Sequence, residues 1–235
     1  MGRGDYASGM FIDALQARVR THGAGPLITH YDLAAGSRIE LSAVTFANWV
    51  CKTANLIDDL GVEPGSTLDL GLAESDPGHW VTLVWIAAAW QRGCGVVAGV
   101  TGEADLAVVG PADERRGPDT VACSLHPLGL GFATAPAGCL DYAEVFSQPD
   151  LFDGVPADPG APAFGAITHG EVAAVRPCDE RRLFADPAPG WETARDLLVA
   201  PVLGTGSRVI AVGGDDEALA RLAGQERAVP TKTKR

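Results

Sequence analysis

The sequence predicts an α/β fold over residues 1–235: a mainly parallel sheet flanked by helices, with an N-terminal β-hairpin. Three observations predict it. Short runs of β-branched residues alternate along the chain with segments of helical periodicity. Hydrophobic residues make up 46% of the chain and charged residues 20%, which is typical of a folded domain. The 29 glycines and 16 prolines supply the many turns that such an alternation needs.

The first elements are a helix, a hairpin and a second helix. Apolar residues recur at helical spacing within Asp5–Thr21. Leu27–Leu33 and Arg38–Ala43 alternate apolar and polar residues across a short turn, which predicts a β-hairpin with one buried face. Ser42 then has the position of an N-cap for an amphipathic helix that ends at Gly61.

A strand–helix–strand series follows. Leu68–Leu72 reads as a short strand, and Asp76 precedes a proline in the way that an N-cap precedes the first helical residue. The helix predicted at Pro77–Arg92 is apolar nearly all round and is therefore expected to be buried. Gly95–Val100 and Leu106–Val109 are β-branched runs of the kind found in covered parallel sheets. This series predicts βαβ units in one parallel sheet.

Between residues 110 and 162 the periodicity weakens while proline and glycine accumulate. Only a strand at Thr120–Leu125 and a short helix at Asp141–Phe146 are predicted there, so we place any subdomain boundary within this stretch. Beyond it, Thr168 and Glu171 have the spacing of a capping box, which starts a helix. Three later elements are predicted: a helix at Trp191–Leu203, a strand at Arg208–Val212 and a helix at Asp215–Gln225.

The charge balance argues against nucleic acid and membrane surfaces as partners. The formal net charge is −12, and three of the 18 basic residues fall in a basic tail at 230–235 that we expect to be flexible. The rest of the chain is therefore still more acidic. Phosphate backbones and anionic lipid headgroups are repelled by such a surface.

Further patterns point to a cytoplasmic protein. The longest apolar run, Trp80–Trp90, is well short of the roughly 20 residues that a membrane span needs. Met1–Asp5 does not open a signal peptide. The five cysteines are widely spaced without a C-x-x-C pair, which disfavours disulfides and a structural zinc site. A buried cysteine packing as a small apolar residue and a nucleophilic cysteine both remain open.

No catalytic or metal-binding motif is found. A Walker loop needs a lysine after a glycine-rich turn, and Lys52, Lys232 and Lys234 do not follow one. The histidine spacings contain no metal-binding pair. Gly129–Gly131 and Gly204–Gly206 are read either as plain turns or as fragments of a dinucleotide fingerprint.

Two segments nevertheless resemble a known superfamily. Ile39–Ser42 with Ala54–Gly65 is similar to the "sY-x-x-L … A-N-x-L … G-V-x-P-G-D" segment that opens the adenylate-forming enzymes, and Gly93–Gly99 to their "A-G-A-x-x-V-P" segment. Acyl-CoA synthetases, nonribosomal peptide synthetase adenylation domains and luciferases belong to this superfamily. The resemblance implies the N-terminal part of that fold, whose members use ATP to convert a carboxylate to an acyl-adenylate.

The phosphate loop of that superfamily is degenerate here. Its Ser/Thr/Gly-rich "P-K-G" loop and following "lTH" match a remnant formed by Gly160, Pro162, Thr168 and His169, but Ala163 stands where the lysine belongs. The resemblance therefore implies no catalytic residue and no metal ligand. We expect no cofactor. ATP, AMP and acyl-CoA are the ligands with which this expectation can be tested.

The resemblance continues to the end of the chain and then stops. Leu203–Ile210 is similar to the "L-x-x-G-x-x-V-V" strand and Glu226–Val229 to the "E-x-x-V-T" segment, whereas full-length members are more than twice as long. We interpret the chain as a truncated bacterial pseudoenzyme with a binding, regulatory or subunit-interaction role. The alternatives are a small-molecule (acyl or nucleotide) binding protein, or a residual acyl-adenylate ligase completed by a partner subunit. The apolar helix at Trp191–Leu203 predicts a homodimer or a protein partner bound through the C-terminal region.

Overall fold

A computed structural model describes residues 10–99, 104–115, 117–134 and 136–231. Its strands, in chain order, are β1 (Pro26–Asp32), β2 (Ser37–Ser42), β3 (Thr67–Leu70), β4 (Gly95–Val97), β5 (Leu106–Val109), β6 (Thr120–Ala122), β7 (Leu140–Asp141), β8 (Pro162–Phe164), β9 (Ile167–Thr168), β10 (Arg181–Ala185), β11 (Ser207–Val212) and β12 (Val229–Pro230).

The α-helices, again in chain order, are α1 (Phe11–His22), α2 (Ala43–Asp59), α3 (Leu72–Ser75), α4 (Trp80–Gln91), α5 (His169–Ala173), α6 (Trp191–Ala194), α7 (Ala200–Leu203) and α8 (Asp216–Glu226). A 3₁₀ helix covers Tyr142–Ser147, with the Asp141 carboxylate accepting from the Ala143 amide at its start. A π-helical turn at Arg195–Val199 joins α6 to α7, so the predicted helix Trp191–Leu203 is continuous but locally widened.

The strands form two sheets rather than one. The first has the order β12-β10-β11-β1-β2, and the second the order β7-β6-β5-β3-β4-β8-β9. In the first sheet β1, β10 and β11 run parallel, while β1 and β2 form the predicted antiparallel hairpin. In the second, β3 pairs in parallel with β4 and with β5, which confirms the predicted βαβ series. The mixed α/β architecture with helix-flanked parallel sheets is thus confirmed.

Alternation along β11 shows how the first sheet is covered. Ile210 belongs to the main core, which also takes in apolar residues of α1, α2, α4 and the second sheet. Its neighbours Val209 and Ala211 belong to a smaller cluster that includes Leu222 of α8. Because successive strand residues point to opposite faces, α8 lies on the side of this sheet away from the main core.

Helix α4 is fully buried, as the sequence predicts. Every residue from Trp80 to Gln91 is buried. Trp85 is 0% exposed and Ile86 2% exposed. The helix therefore has no polar face, and hydrophobic transfer on all sides holds it in the core.

The predicted start of this helix is wrong. Asp76 does not cap it; instead Asp76 ends the short helix α3, which also takes in Leu72, the last residue of the predicted strand. The N-cap is His79, whose imidazole accepts a hydrogen bond from the Val81 amide. The Asp76 carbonyl accepts from the His79 amide and from the Thr82 hydroxyl, so the segment before α4 makes an extra turn.

Other boundaries differ in detail. Ser42 caps α2 through a bond from the Thr45 amide, as predicted. β4 ends at Val97 and β6 at Ala122, so both strands are shorter than predicted. β10 begins at Arg181 in a stretch for which the sequence predicts no element.

The subdomain boundary within 110–162 stays a prediction. The start of the predicted opening helix, residues 5–9, and the basic tail from Lys232 on lie outside the described residues. No helix among the residues that the structure describes combines the length and the apolar character that crossing a bilayer requires.

Candidate functional site

The phosphate-loop remnant lies in a tight β-hairpin. Pro162 and Ala163 belong to β8, which pairs antiparallel with β9, and Gly165–Ala166 alone connects the two strands. Ala163 is 0% exposed, and its carbonyl accepts a hydrogen bond of 2.9 Å from the Trp90 indole. The position matched to the lysine is therefore an interior strand position and not part of an open loop.

The turn before this hairpin uses its own amides. The Asp158 carboxylate accepts from the Gly160 amide at 2.9 Å, and the Asp158 carbonyl accepts from the Ala161 amide at 2.9 Å. The Gly170 amide donates to the Pro159 carbonyl at 2.8 Å. A phosphate-binding loop needs free amides that converge on an anion. In this turn the Asp158 carboxylate already accepts from the Gly160 amide, so that amide is not free for a bound anion.

Thr168 performs the structural task that the sequence predicts. It caps α5 in a complete capping box with Glu171, and the carboxylate of Glu171 accepts from the Thr168 amide at 2.8 Å. This bond to the Thr168 backbone, followed by the bond to its hydroxyl, lowers the pKa of Glu171. The "T-H" pair is thus explained by a helix start.

His169 faces a small cavity. Its ring is 3% exposed and its Nε2 is buried without a hydrogen-bond partner. Burial lowers the pKa of His169, and the nearby Asp158 charge opposes this effect. The cavity, of about 260 Å³, is bordered by the start of α1, the end of α4 and residues 154–159. Of the four remnant residues, His169 is the one that borders this cavity.

Both glycine-x-glycine segments lie outside helices and strands and need glycine for backbone reasons. A Cβ added at Gly204 or Gly206 would meet the Cys178 carbonyl at 2.4 or 2.5 Å, so close backbone contact requires glycine at both positions. The Arg18 guanidinium donates to the Gly206 carbonyl at 3.0 Å. At Gly129 the φ angle of 71° is the reason for glycine.

A larger cavity lies where strands of both sheets end. Its volume is about 390 Å³, and its walls come from the ends of β1 and β11 together with residues 75–79, 125–127 and 186–187. Residues 125–127 follow β6 of the second sheet, and 186–187 follow β10 of the first. Ligands of open α/β folds bind at the carboxyl ends of the parallel strands. We call this space the histidine cavity because His30 and His79 line it.

The two histidines are in contact. Their ring centroids lie 4.8 Å apart and the ring planes meet at 65°. His79 Nδ1 accepts from the Val81 amide at 3.2 Å, and His79 also hydrogen-bonds the Leu125 backbone. His30 is 5% exposed, and its Nε2 is buried without a partner.

Burial keeps these imidazoles neutral at neutral pH. It lowers the pKa of His79 to about 3, and the nearby His30 adds to this shift. Burial also lowers the pKa of His30, whereas the charges of Asp32 and Asp76 oppose that shift. The cavity therefore has uncharged imidazole in its interior and carboxylates around it.

Two residues of the cavity wall hold strained backbone. Leu125 has a φ of 58° and Asp186 a φ of 42°. Such left-handed conformations are costly for residues other than glycine and are concentrated at functional sites. Asp186 is stabilised in place, since its carboxylate accepts from the Gly213 amide at 2.8 Å.

The cysteines behave as core residues where they are most buried. Cys94 and Cys123 are both 0% exposed. Burial raises the pKa of Cys94 to about 11, and it also raises the pKa of Cys123. A protonated, enclosed thiol is a poor nucleophile. Among the described residues, no three His, Cys, Asp or Glu side chains come together in a way that would hold a metal ion.

The histidine cavity is not predicted by the sequence. His30 and His79 belong to a strand and a helix cap that are 49 positions apart, so their spacing resembles no motif. One signal was present: His30 follows Leu27, Ile28 and Thr29 in a predicted strand with a buried face, where a polar side chain needs a reason.

Comparisons with known proteins place the fold. No protein-family model matches the chain. A Mycobacterium tuberculosis protein named only as a member of a family is 36% identical over 148 residues, covering 58% of this chain and 57% of its own. An acyl-CoA synthetase from Brucella canis superposes with a TM-score of 0.74 at 14% identity, over 96% of this chain and 47% of that enzyme.

Two further solved structures agree. Acetoacetyl-CoA synthetase from Streptomyces lividans gives a TM-score of 0.68 at 16% identity, over 93% of this chain and 41% of that enzyme. The nonribosomal peptide synthetase FmoA3 gives 0.61 at 15% identity, over 93% of this chain and 25% of that enzyme. The chain thus has the fold of the N-terminal part of adenylate-forming enzymes and spans less than half the length of these solved relatives.

Proposed function

We propose that this protein is a binding protein that does not form acyl-adenylates. The observation that carries the proposal is the two-residue connection, Gly165–Ala166, between β8 and β9. A connection this short offers no room for a loop that wraps a triphosphate. The preceding turn places the Asp158 carboxylate on the Gly160 amide, where an anion would otherwise be received.

Electrostatics supports the same proposal. Catalysis of phosphoryl or adenylyl transfer requires positive charge where negative charge develops. Ala163 brings none, and the protein as a whole carries a formal net charge of −12. We therefore propose a cytoplasmic bacterial pseudoenzyme whose retained fold serves binding or regulation, with no ATP, AMP or acyl-CoA bound.

The test is carboxylate-dependent exchange of pyrophosphate into ATP with a panel of fatty, aromatic and amino acids. We expect no exchange above a no-protein control and no rise in melting temperature on adding ATP, AMP or acyl-CoA, since a ligand of the native state must raise it. Exchange with any acid would overturn the proposal. A thermal shift with a nucleotide but no exchange would overturn only the claim that no nucleotide binds. The claim that no acyl-adenylate forms would stand.

One alternative function rests on the coverage of the solved enzymes. This chain matches 47% of the Brucella canis synthetase, so a second polypeptide would have to supply the remainder in a two-subunit ligase. Pyrophosphate exchange that appears only when a co-purifying protein of the native host is added back would favour this alternative.

The homodimer or protein partner predicted for the C-terminal region stays a proposal, and the apolar helix on which it was predicted does not itself require a partner. Leu197, Leu198 and Val199 are each 0% exposed, so the apolar surplus of helix 191–203 is buried within this chain. Sedimentation at tens of micromolar tests the interaction directly. A strict monomer without a co-purifying partner would remove it and leave small-molecule binding as the form of the proposed function.

A further inference from the structure

We propose that the histidine cavity binds a small organic cation, a primary amine attached to an apolar body. The inference rests on the proposed binding function and specifies its site and ligand class.

The cavity has one sign of charge. Asp32, Asp76 and Asp186 are its charged side chains, and none of the described residues that line it is a lysine or arginine. Carboxylates and phosphates would meet repulsion without compensation there. A cation would be attracted at short range by these carboxylates and at long range by the net charge of the protein.

The imidazole of His30 supplies a directed contact. Because the ring is 5% exposed and its Nε2 lacks a partner, the group is desolvated without compensation in the protein alone. A buried polar atom in this state costs free energy until a donor or acceptor reaches it. Nε2 is enclosed in this structure, so the proposal includes a small turn of the His30 ring towards the cavity. Neutral His30 then offers Nε2 as an acceptor for an ammonium N–H.

His79 is less available than His30 for a hydrogen bond to a ligand. Its Nδ1 already accepts from the Val81 amide and the ring also bonds the Leu125 backbone, so its hydrogen-bonding capacity is used. The free contacts of the cavity interior are therefore concentrated at His30. Asp76 is the carboxylate best placed for a variant, because Asp32 accepts from the Ala34 and Ala35 amides and Asp186 from that of Gly213.

The rest of the wall is apolar. Leu125, Pro127, Pro187 and Val212 contribute carbon surface around the polar end. At about 390 Å³ the cavity has room for an apolar group attached to the amine. A cation without such a body would leave this surface unused.

The experiment is calorimetric titration of the full chain with matched probes at neutral pH. Phenethylamine is compared with hydrocinnamate, and hexylamine with heptanoate, so that each pair shares an apolar body and differs in charge. We expect saturable binding of at least one amine and none of its carboxylate partner. Equal binding of both members of a pair, or no binding of either amine, would overturn the proposal.

Two variants test the assigned groups. Asp76→Asn is expected to weaken amine binding about tenfold, the size of a charge-assisted hydrogen bond. Asp153→Asn removes the same charge from an exposed loop position that does not line the cavity and is expected to leave the affinity unchanged. His30→Leu is expected to abolish binding while circular dichroism stays that of the wild type. Unchanged affinity in Asp76→Asn and His30→Leu would overturn the assignment.

Pyrophosphate exchange measured on the same preparation separates the two proposals. Exchange would overturn the non-adenylating function whatever the amine result. Absence of amine binding without exchange would overturn only the ligand class.

Discussion

His30 and His79 meet edge to face, with their ring centroids 4.8 Å apart, at the junction of a strand from the first sheet and the cap of the helix that fills the core. The contact joins the histidine cavity to the fully buried helix α4, because His79 caps that helix. A proton added to either ring would place a charge against the other in a desolvated setting. The stability of the protein is therefore expected to depend on pH through this pair.

The first prediction concerns acid. The pKa of His79 falls from 6.5 to about 3 on folding, so between these values the unfolded chain binds a proton that the folded protein does not. Stability is accordingly lost as the pH falls from about 6.5 towards 3. His79→Asn keeps an N-cap acceptor and is expected to reduce this dependence, by up to about 1.4 kcal/mol per pH unit.

The measurement is the free energy of unfolding by urea at a series of pH values. His22→Asn, at the exposed end of α1, is the control and is expected to keep the wild-type slope. A His79→Asn protein with the same slope as the wild type would show that the imidazole pair does not govern the acid sensitivity.

A second prediction tests the burial of α4. Ile86→Asp places a carboxylate at a position that is 2% exposed, and it is expected to cost about 3 kcal/mol or more and to prevent soluble expression. Ile86→Val removes one methylene and should cost about 1 kcal/mol in urea unfolding. A soluble, fully folded Ile86→Asp protein would contradict the packing of this helix.

The sequence predicts those features of the fold that depend on residues close together in the chain. The Ser42 cap, the capping box at Thr168 and the apolar α4 are local patterns, and all three are present in the structure. The sequence does not predict strand β10, because the strand begins at Arg181 and a charged residue is typical of a loop. In the structure the Arg181 guanidinium hydrogen-bonds partners distant in the chain, Glu226 among them.

The same distinction between local and long-range features applies to the candidate site. The sequence alone identifies the remnant Gly160–His169, because its residues lie within ten positions, and it shows that the lysine is replaced. What the sequence did not show is that Ala163 lies inside a strand, since β8 pairs with β4 from another part of the chain. The histidine cavity is formed entirely by such long-range assembly.

A third prediction concerns an ion pair whose carboxylate is buried and whose guanidinium is partly exposed. Arg115 Nη1 lies 2.6 Å from the Asp69 carboxylate, which is on a residue only 4% exposed. Arg115→Ala leaves that carboxylate buried without this partner and is expected to cost about 3 kcal/mol. The double variant Arg115→Ala/Asp69→Asn should be more stable than Arg115→Ala alone, because the uncompensated charge is gone.

Urea unfolding of the single and double variants measures the coupling. Arg221→Ala breaks the exposed pair with Glu217 and is expected to stay within about 0.5 kcal/mol of the wild type. If Arg115→Ala cost no more than Arg221→Ala, the burial of the Asp69 charge would not matter to stability.

The last prediction is that restoring the lysine of the superfamily motif does not restore catalysis. Ala163 is 0% exposed in β8, so the side chain of Ala163→Lys must either bury its ammonium or push the strand away from Trp90, whose indole bonds the Ala163 carbonyl. Either outcome is expected to cost about 3 kcal/mol or more. Ala166→Lys, in the exposed turn of the same hairpin, adds the same charge and is expected to fold like the wild type. Thermal unfolding and pyrophosphate exchange are measured for both. A stably folded Ala163→Lys protein that exchanges pyrophosphate would mean that the hairpin opens into a working phosphate loop, and that a single missing charge had silenced the enzyme.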